Sequence, residues 1–141
     1  MRRLHLAFIL PCILFSFPAV AEQKLIKPQT QGEVTFVNGG VGSDEQNAMQ
    51  ALGPDYNLRL LFSINGAGEY ASDVKVRIAD SSGNVLLETV SDGPMLFAKL
   101  KPGRYSVTVD RDGQVVKNTA TLASTTKRTS LSITWPREHR D

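Results

Sequence analysis

The chain has 141 residues with 16 Lys+Arg against 14 Asp+Glu, one cysteine, two histidines and 41% hydrophobic residues. That is one domain's worth of sequence, long enough to bury a core without disulfide staples. Its lone cysteine, Cys12, and its two histidines, His5 and His139, exclude a disulfide framework and a mononuclear metal site built on several His or Cys ligands.

The chain opens with Arg2 and Arg3, then an apolar stretch from Leu4 to Phe17, then Pro18-Ala19-Val20-Ala21. A basic start, a short greasy segment and an A-x-A site make a secretory signal. The segment is shorter than the roughly 20 apolar residues that span a bilayer. Residues 1–21 are therefore expected to be cleaved, giving a soluble periplasmic or secreted product with no membrane insertion. A lipid anchor on Cys12 is disfavoured because Pro11, not a small residue, precedes it. Without Arg2 and Arg3 the charges balance at 14 each, which gives no reason to expect nucleic acid or anionic membrane as partner.

Residues 22–32 are polar and contain Pro28 and Gly32; they read as a flexible lead-in to a domain spanning 33–136. Alternation in 33–38 suits a strand. Residues 39–53 contain Gly39-Gly40-Val41-Gly42, then Ser43 as an N-cap with Gln46 three places on, a capping-box pattern. Asp44 and Glu45 place negative charge in the first turn, and Gly53-Pro54 ends a short helix.

Strand signals then recur at short spacing. Tyr56, Leu58, Leu60, Phe62 and Ile64 share a face; Asn65-Gly66-Ala67-Gly68 breaks the run; Val74, Val76 and Ile78 oppose Lys75 and Arg77. Ser81-Ser82-Gly83-Asn84 and Asp92-Gly93-Pro94 read as turns around a strand at 85–90, and Asp112-Gly113 as a hairpin turn. Segments 95–100, 104–110, 115–122 and 129–135 complete the set, with residues 137–141 as a tail. The expected fold is all-β, a two-sheet Greek-key sandwich of about seven to eight strands with one short helix near the N-terminus.

The most distinctive run is Leu100-x-Pro102-Gly103-x-Tyr105-x-Val107. Leu100 ends one strand in the core, Pro102-Gly103 turns the chain, and Tyr105 starts the next strand with its ring buried and its hydroxyl free to bond backbone at the corner. This run resembles the carboxypeptidase regulatory-like domains, a prealbumin-like (transthyretin-like) group of seven-stranded sandwiches, over about residues 55–122. The layout also resembles small exported proteins of Gram-negative bacteria built on that domain. The resemblance implies a sandwich and a periplasmic accessory module, and supplies no substrate. The extra segment 39–53 departs from the simplest family pattern. Transthyretin-related hydroxyisourate hydrolases use several histidines and a C-terminal Tyr-Arg-Gly-Ser; this chain has neither.

No nucleophile–base pair or metal cluster stands out, so no catalytic residue, cofactor or metal is assigned. The Gly39–Gly42 run could cradle an anion, but it lacks a P-loop Lys and is followed by Asp44 and Glu45, so a tight connection is the better reading. Asp110-Arg111-Asp112-Gly113 begins like a calcium loop but lacks the distal ligands. Lys75, Arg77, Arg59, Lys99 and Arg104 fall on outward strand positions and read as a solvated face. The residues singled out for ligand or partner contact are Tyr70 and Glu69 in the Gly-rich loop, and Asp44 and Glu45 on the helix. The expected function is a non-catalytic interaction module for an envelope protein. The alternative is a carbohydrate or cell-wall ligand, and more remotely a carboxylate-based hydrolase.

Overall fold

A computed structural model describes residues 26–65 and 69–136. The expected signal segment 1–21, His5, Cys12, His139 and the tail 137–141 lie outside the described residues. Strand segments are β1 (Gln29–Gln31), β2 (Val34–Gly39), β3 (Leu58–Ile64), β4 (Glu69–Tyr70), β5 (Val74–Asp80), β6 (Val85–Ser91), β7 (Met95–Lys99), β8 (Gly103–Arg111), β9 (Gln114–Leu122) and β10 (Thr129–Trp135). Between β2 and β3 come helix α1 (Gly42–Leu52) and a 3₁₀ turn, Gly53–Asp55.

The strands form two sheets. Sheet one runs β1-β2-β7-β3-β10, with the two-residue β4 also paired to β3. Sheet two runs β6-β5-β8-β9. Neighbours are antiparallel except β10, which pairs in parallel with β3 from Thr129↔Leu58 to Trp135↔Ile64.

Alternation decides which side chains meet between the sheets. From β3 come Leu58, Leu60 and Phe62; from β5, Val74, Val76 and Ile78; from β8, Tyr105, Val107 and Val109; from β10, Ile133 and Trp135. All are buried, and together they make a β-sandwich core. Trp135 anchors one end: it is 1% exposed, its ring tilts against Phe62 at 6.1 Å, and its Nε1–H donates to the Gln114 carbonyl at 2.9 Å. The corner at Leu100–Tyr105 forms as its residues predict. The Tyr105 ring is buried and its hydroxyl donates to the Lys101 carbonyl at 2.6 Å. Burial, and secondarily Asp80, raise its pKa against a smaller opposing effect of Lys101. At the β8–β9 hairpin, Asp112 and Gly113 both adopt positive φ, as a two-residue turn between right-twisted strands demands.

Asn57 joins β3 to the β7–β8 corner. It is fully buried; its amide donates to the Leu100 carbonyl at 2.7 Å and to the Ser124 carbonyl at 3.2 Å, and its Oδ1 accepts from the Leu100 N–H at 2.9 Å. The side chain thus continues the β3–β7 ladder one step beyond the last backbone pair, Leu58↔Ala98, and satisfies both the N–H and the carbonyl of buried Leu100.

Four sequence expectations are corrected. Strand segments outnumber the expected seven to eight, because β1 and β4 are short pairings that no alternating pattern announces. The segment 22–32 is not wholly a free lead-in, because Gln29–Gln31 pair with Val34–Phe36 as β1. Glu69 and Tyr70, expected in a Gly-rich loop, form β4, which pairs Ser63↔Tyr70 and Ile64↔Glu69. The capping box also fails: the cap position of α1 falls on Val41 without a side-chain bond, and Gln46 donates to the Gly40 carbonyl at 3.3 Å. Gln46 is therefore used to tie the helix back to the end of β2 and not to close a box with Ser43.

Candidate functional site

The described faces offer two surfaces, the outer face of sheet two and the outer face of sheet one. On sheet two, Lys75, Arg77, Glu88, Thr108, Asp110, Val90 and Val115 line a groove of about 510 Å³. Arg77 pairs with Glu88 at 2.9 Å and both are well exposed. An exposed pair of this kind contributes little, about 0–1 kcal/mol. Lys75, Arg77 and Arg104 therefore belong to a charge-mixed, solvated face, as their alternation suggests.

The outer face of sheet one is built differently. Its strands carry apolar residues out of phase with the sandwich core. Val37 on β2 and Phe97 on β7 oppose each other in register and point away from the inter-sheet core, and Met95 on β7 follows the same phase. Helix α1 covers them. Met49, fully buried, packs with Val37, Tyr56 and Phe97, and Ile26, Leu52 and Met95 close the margin. Burying one such methionine stabilises by about 1.5–3 kcal/mol. Burial, then the neighbouring Asp55, raise the Tyr56 pKa.

Beyond the helix the same face continues across β3 and β10. Register places three rows side by side: Phe97, Arg59 and Ser130; Met95, Leu61 and Ser132; Tyr70, Ser63 and Thr134. The β10 members of these rows are exposed, and the Ser63 and Thr134 hydroxyls share a hydrogen bond of 3.1 Å. Tyr70 is 53% exposed, so it is not folded onto the sandwich edge. Val41, at the head of α1, is 56% exposed and follows Gly40, which sits against Met95.

Tyr70 lies on the outer face of sheet one, and Asp44 and Glu45 lie in the first turn of the helix laid on that face. Asp44 is exposed, whereas Glu45 is half-buried and turns toward Gly39. Glu69 occupies the register position opposite Ile64, out of phase with Tyr70. The sequence reading missed Leu61, Ser63, Ser132 and Thr134. Their signal was the strict alternation Thr129-Ser130-Leu131-Ser132-Ile133-Thr134-Trp135, which sets a row of hydroxyls opposite the core residues.

Arg59 is the other departure. It was expected on a solvated face, but the 3₁₀ turn and Phe97 enclose it. Its guanidinium lies 5.1 Å from the Phe97 ring centroid and against Gly53, where any Cβ would collide with it. Burial, then the positive Arg128 nearby, lower its pKa from the ordinary arginine value.

Among the described residues there is no cluster of three or more His, Cys, Asp and Glu able to hold a metal, and no helix long and apolar enough to cross a membrane. No protein-family model matches the chain, and no curated protein matches it.

Proposed function

We propose that this chain is an exported, non-catalytic β-sandwich module that binds a protein partner of the bacterial envelope through the outer face of sheet one. The observation that carries the reading is the composition of that face. Exposed Tyr70 pairs with Ser63, two residues along β3 from half-buried Leu61, whose register partner is half-buried Met95. Exposed Val41 follows Gly40, which sits against Met95. The hydroxyls of Ser63, Ser132 and Thr134 flank the patch on β3 and β10. An amphipathic aromatic beside apolar side chains, rimmed by polar groups, is the anatomy of a protein-binding patch. Export is supported by the basic, apolar and A-x-A sequence of residues 1–21.

Strand addition at a sheet edge is the weaker mode for this fold. The Gln31 side chain already occupies the free edge of β6: its amide donates to the Glu88 carbonyl at 3.3 Å and its oxygen accepts from the Glu88 N–H at 2.7 Å. At the opposite flank, Trp135 takes the Gln114 carbonyl of β9. Partial occupation of both edges of sheet two favours a face as the surface for a partner.

The carboxypeptidase regulatory-like, prealbumin-like assignment belongs to the same proposal. Strands β3 and β5–β10 alone make a three-on-four sandwich, β7-β3-β10 over β6-β5-β8-β9, in which the chain changes sheets after β3, β6, β7 and β9. Together with the Tyr105 corner bond, this supports a Greek-key arrangement. On this reading β1, β2 and α1 are an addition that covers part of one outer face.

The test places a photo-crosslinking side chain at Tyr70 or Leu61, and at Lys117 on sheet two as a control, in cells exporting the protein. One dominant adduct from the first two positions and none from the third is expected. Equal labelling from all three positions, or adducts from Lys117 alone, defeats the proposal.

The row Tyr70, Ser63 and Thr134 favours one second reading, a glycan stacked on the tyrosine and hydrogen-bonded by the hydroxyls. Trp135 is buried and reports poorly on that row, so the measurement is a thermal shift across a cell-wall glycan panel. A rise in Tm that Tyr70→Ala abolishes is the result this reading expects.

A further inference from the structure

At the end of the outer face remote from Tyr70, the row Phe97, Arg59 and Ser130 meets the loop before β10. Ser130 lies beside Arg59 in register. Arg128 precedes it by one strand repeat, and the ladder already runs there, since the Thr129 N–H donates to the Asn57 carbonyl at 2.8 Å. Alternation therefore puts Arg128 on the same side as Ser130 and Arg59. Arg128 is close enough for its charge to act on Arg59, and Ser130 stands next to Arg59 in register.

Their charges are not compensated among the described residues. Neither arginine has a carboxylate within ion-pair distance, and Asp55, on the adjoining 3₁₀ turn, pairs with neither. The Nε of Arg59 is buried without a hydrogen-bond partner. A guanidinium partly withdrawn from water and facing a second positive group is costly. Contact with the Phe97 ring offsets part of that cost. Contact with the Phe97 ring and with Gly53 also restricts how the guanidinium can turn.

We infer that Arg59, Arg128 and Ser130 form a subsite for a single oxyanion, a carboxylate or a phosphate monoester. The anion bridges the two guanidinium groups and accepts the Ser130 hydroxyl proton in a hydrogen bond. Arginine forks bind such planar or tetrahedral oxyanions through paired charge-assisted bonds. Arg128 and Ser130 are exposed, so the subsite opens to solvent. It lies on the proposed partner face but does not require that reading, because free small anions are its probes.

The experiment is an NMR titration of the purified protein with sodium acetate and, separately, inorganic phosphate, at constant ionic strength set with sodium chloride. The Arg59 Nε–H and the Ser130 amide are expected to shift saturably, with a dissociation constant of about millimolar order, as suits one small ion. The amides of Lys75 and Lys117 on sheet two should stay put. Tighter acetate binding identifies a carboxylate ligand, and tighter phosphate binding a phosphate-bearing one. Arg128→Gln, at an exposed position, should weaken binding by about tenfold or more. Arg59→Lys, which keeps the charge and loses the fork, should weaken it as well. Linear shifts that appear equally at all basic residues overturn the inference, and so does an unchanged dissociation constant in Arg128→Gln.

Discussion

Sheet one buries side chains on both of its faces, and the two burials differ in kind. Between the sheets, twenty buried residues from nearly every strand interlock. Beneath α1, four do, and three of their partners remain half-exposed. The inner core is closed by hydrogen bonds from buried side chains, Asn57 at one end and Trp135 at the other. Helix α1 has no side-chain cap, no basic residue in its last turn and a single buried side chain, Met49. The first core holds the fold together, and the second holds a helix against it. A surface meant to adapt to a partner is better placed over the second, because local opening there costs less than global unfolding.

The comparison breaks most sharply at Trp135. Trp135→Ala should destabilise the whole molecule by about 3–5 kcal/mol, read as a lower urea midpoint in one cooperative transition. Persistence of the wild-type midpoint would show that the inner core does not depend on its largest side chain. Met49→Ala sharpens the contrast. Its expected cost is about 2–3 kcal/mol, spent on loosening α1. Hydrogen exchange should quicken in 42–52 and leave β5 and β8 protected; equal loss of protection in β8 would mean that the two cores form one cooperative unit.

The smallest effect is at the exposed turn that follows β5. The Asp80 carboxylate accepts the backbone N–H of Asn84 and of Ser82, each at 2.9 Å, and the Asn84 side-chain amide at 3.2 Å. The backbone bond from Asn84 is the leading cause of a pKa below the usual aspartate value, against a smaller opposing effect of desolvation. A carboxyl depressed in the folded state contributes stability above its unfolded pKa and loses it as pH falls through the folded value. Wild type should therefore lose a small increment of Tm on acidification below about pH 4, and Asp80→Asn should lack that increment. Parallel acid profiles for the two proteins would remove Asp80 from the account.

How much of this was legible depended on whether the information was local. Strands with one wet face announce themselves by alternation, and β10 begins and ends at the expected residues. The corner was equally readable, because Pro102, Gly103 and Tyr105 act within a few residues of one another. The outer core was not. Val37 and Phe97 look like irregularities in otherwise alternating strands, and only the position of α1 turns them into a second buried face. Ser43 and Gln46 fit a capping pattern, yet Gln46 bonds Gly40 because the helix must turn back over β2. Arg59 departs from its expected solvated position for a related reason: the 3₁₀ turn that encloses it is placed by tertiary packing. Tyr70 stands out in the sequence as a loop aromatic, but its hydroxyl neighbours come from strands that the sequence does not show to be adjacent.

The parallel pairing of β10 with β3 has a consequence for the order in which the molecule can fold. Ser63 and Thr134, hydrogen-bonded neighbours, are separated by 71 residues of chain. The entropic cost of closing so long a loop must be met before the contact returns anything, which slows folding. Until β10 docks, one flank of β3 stays open and Phe62 lacks the ring of Trp135. A nascent or truncated chain that stops short of Thr129 therefore carries most of the fold's hydrophobic strands with no finished sandwich to hide them. Docking of β10 on β3 is thus the late, long-range step that closes the sandwich.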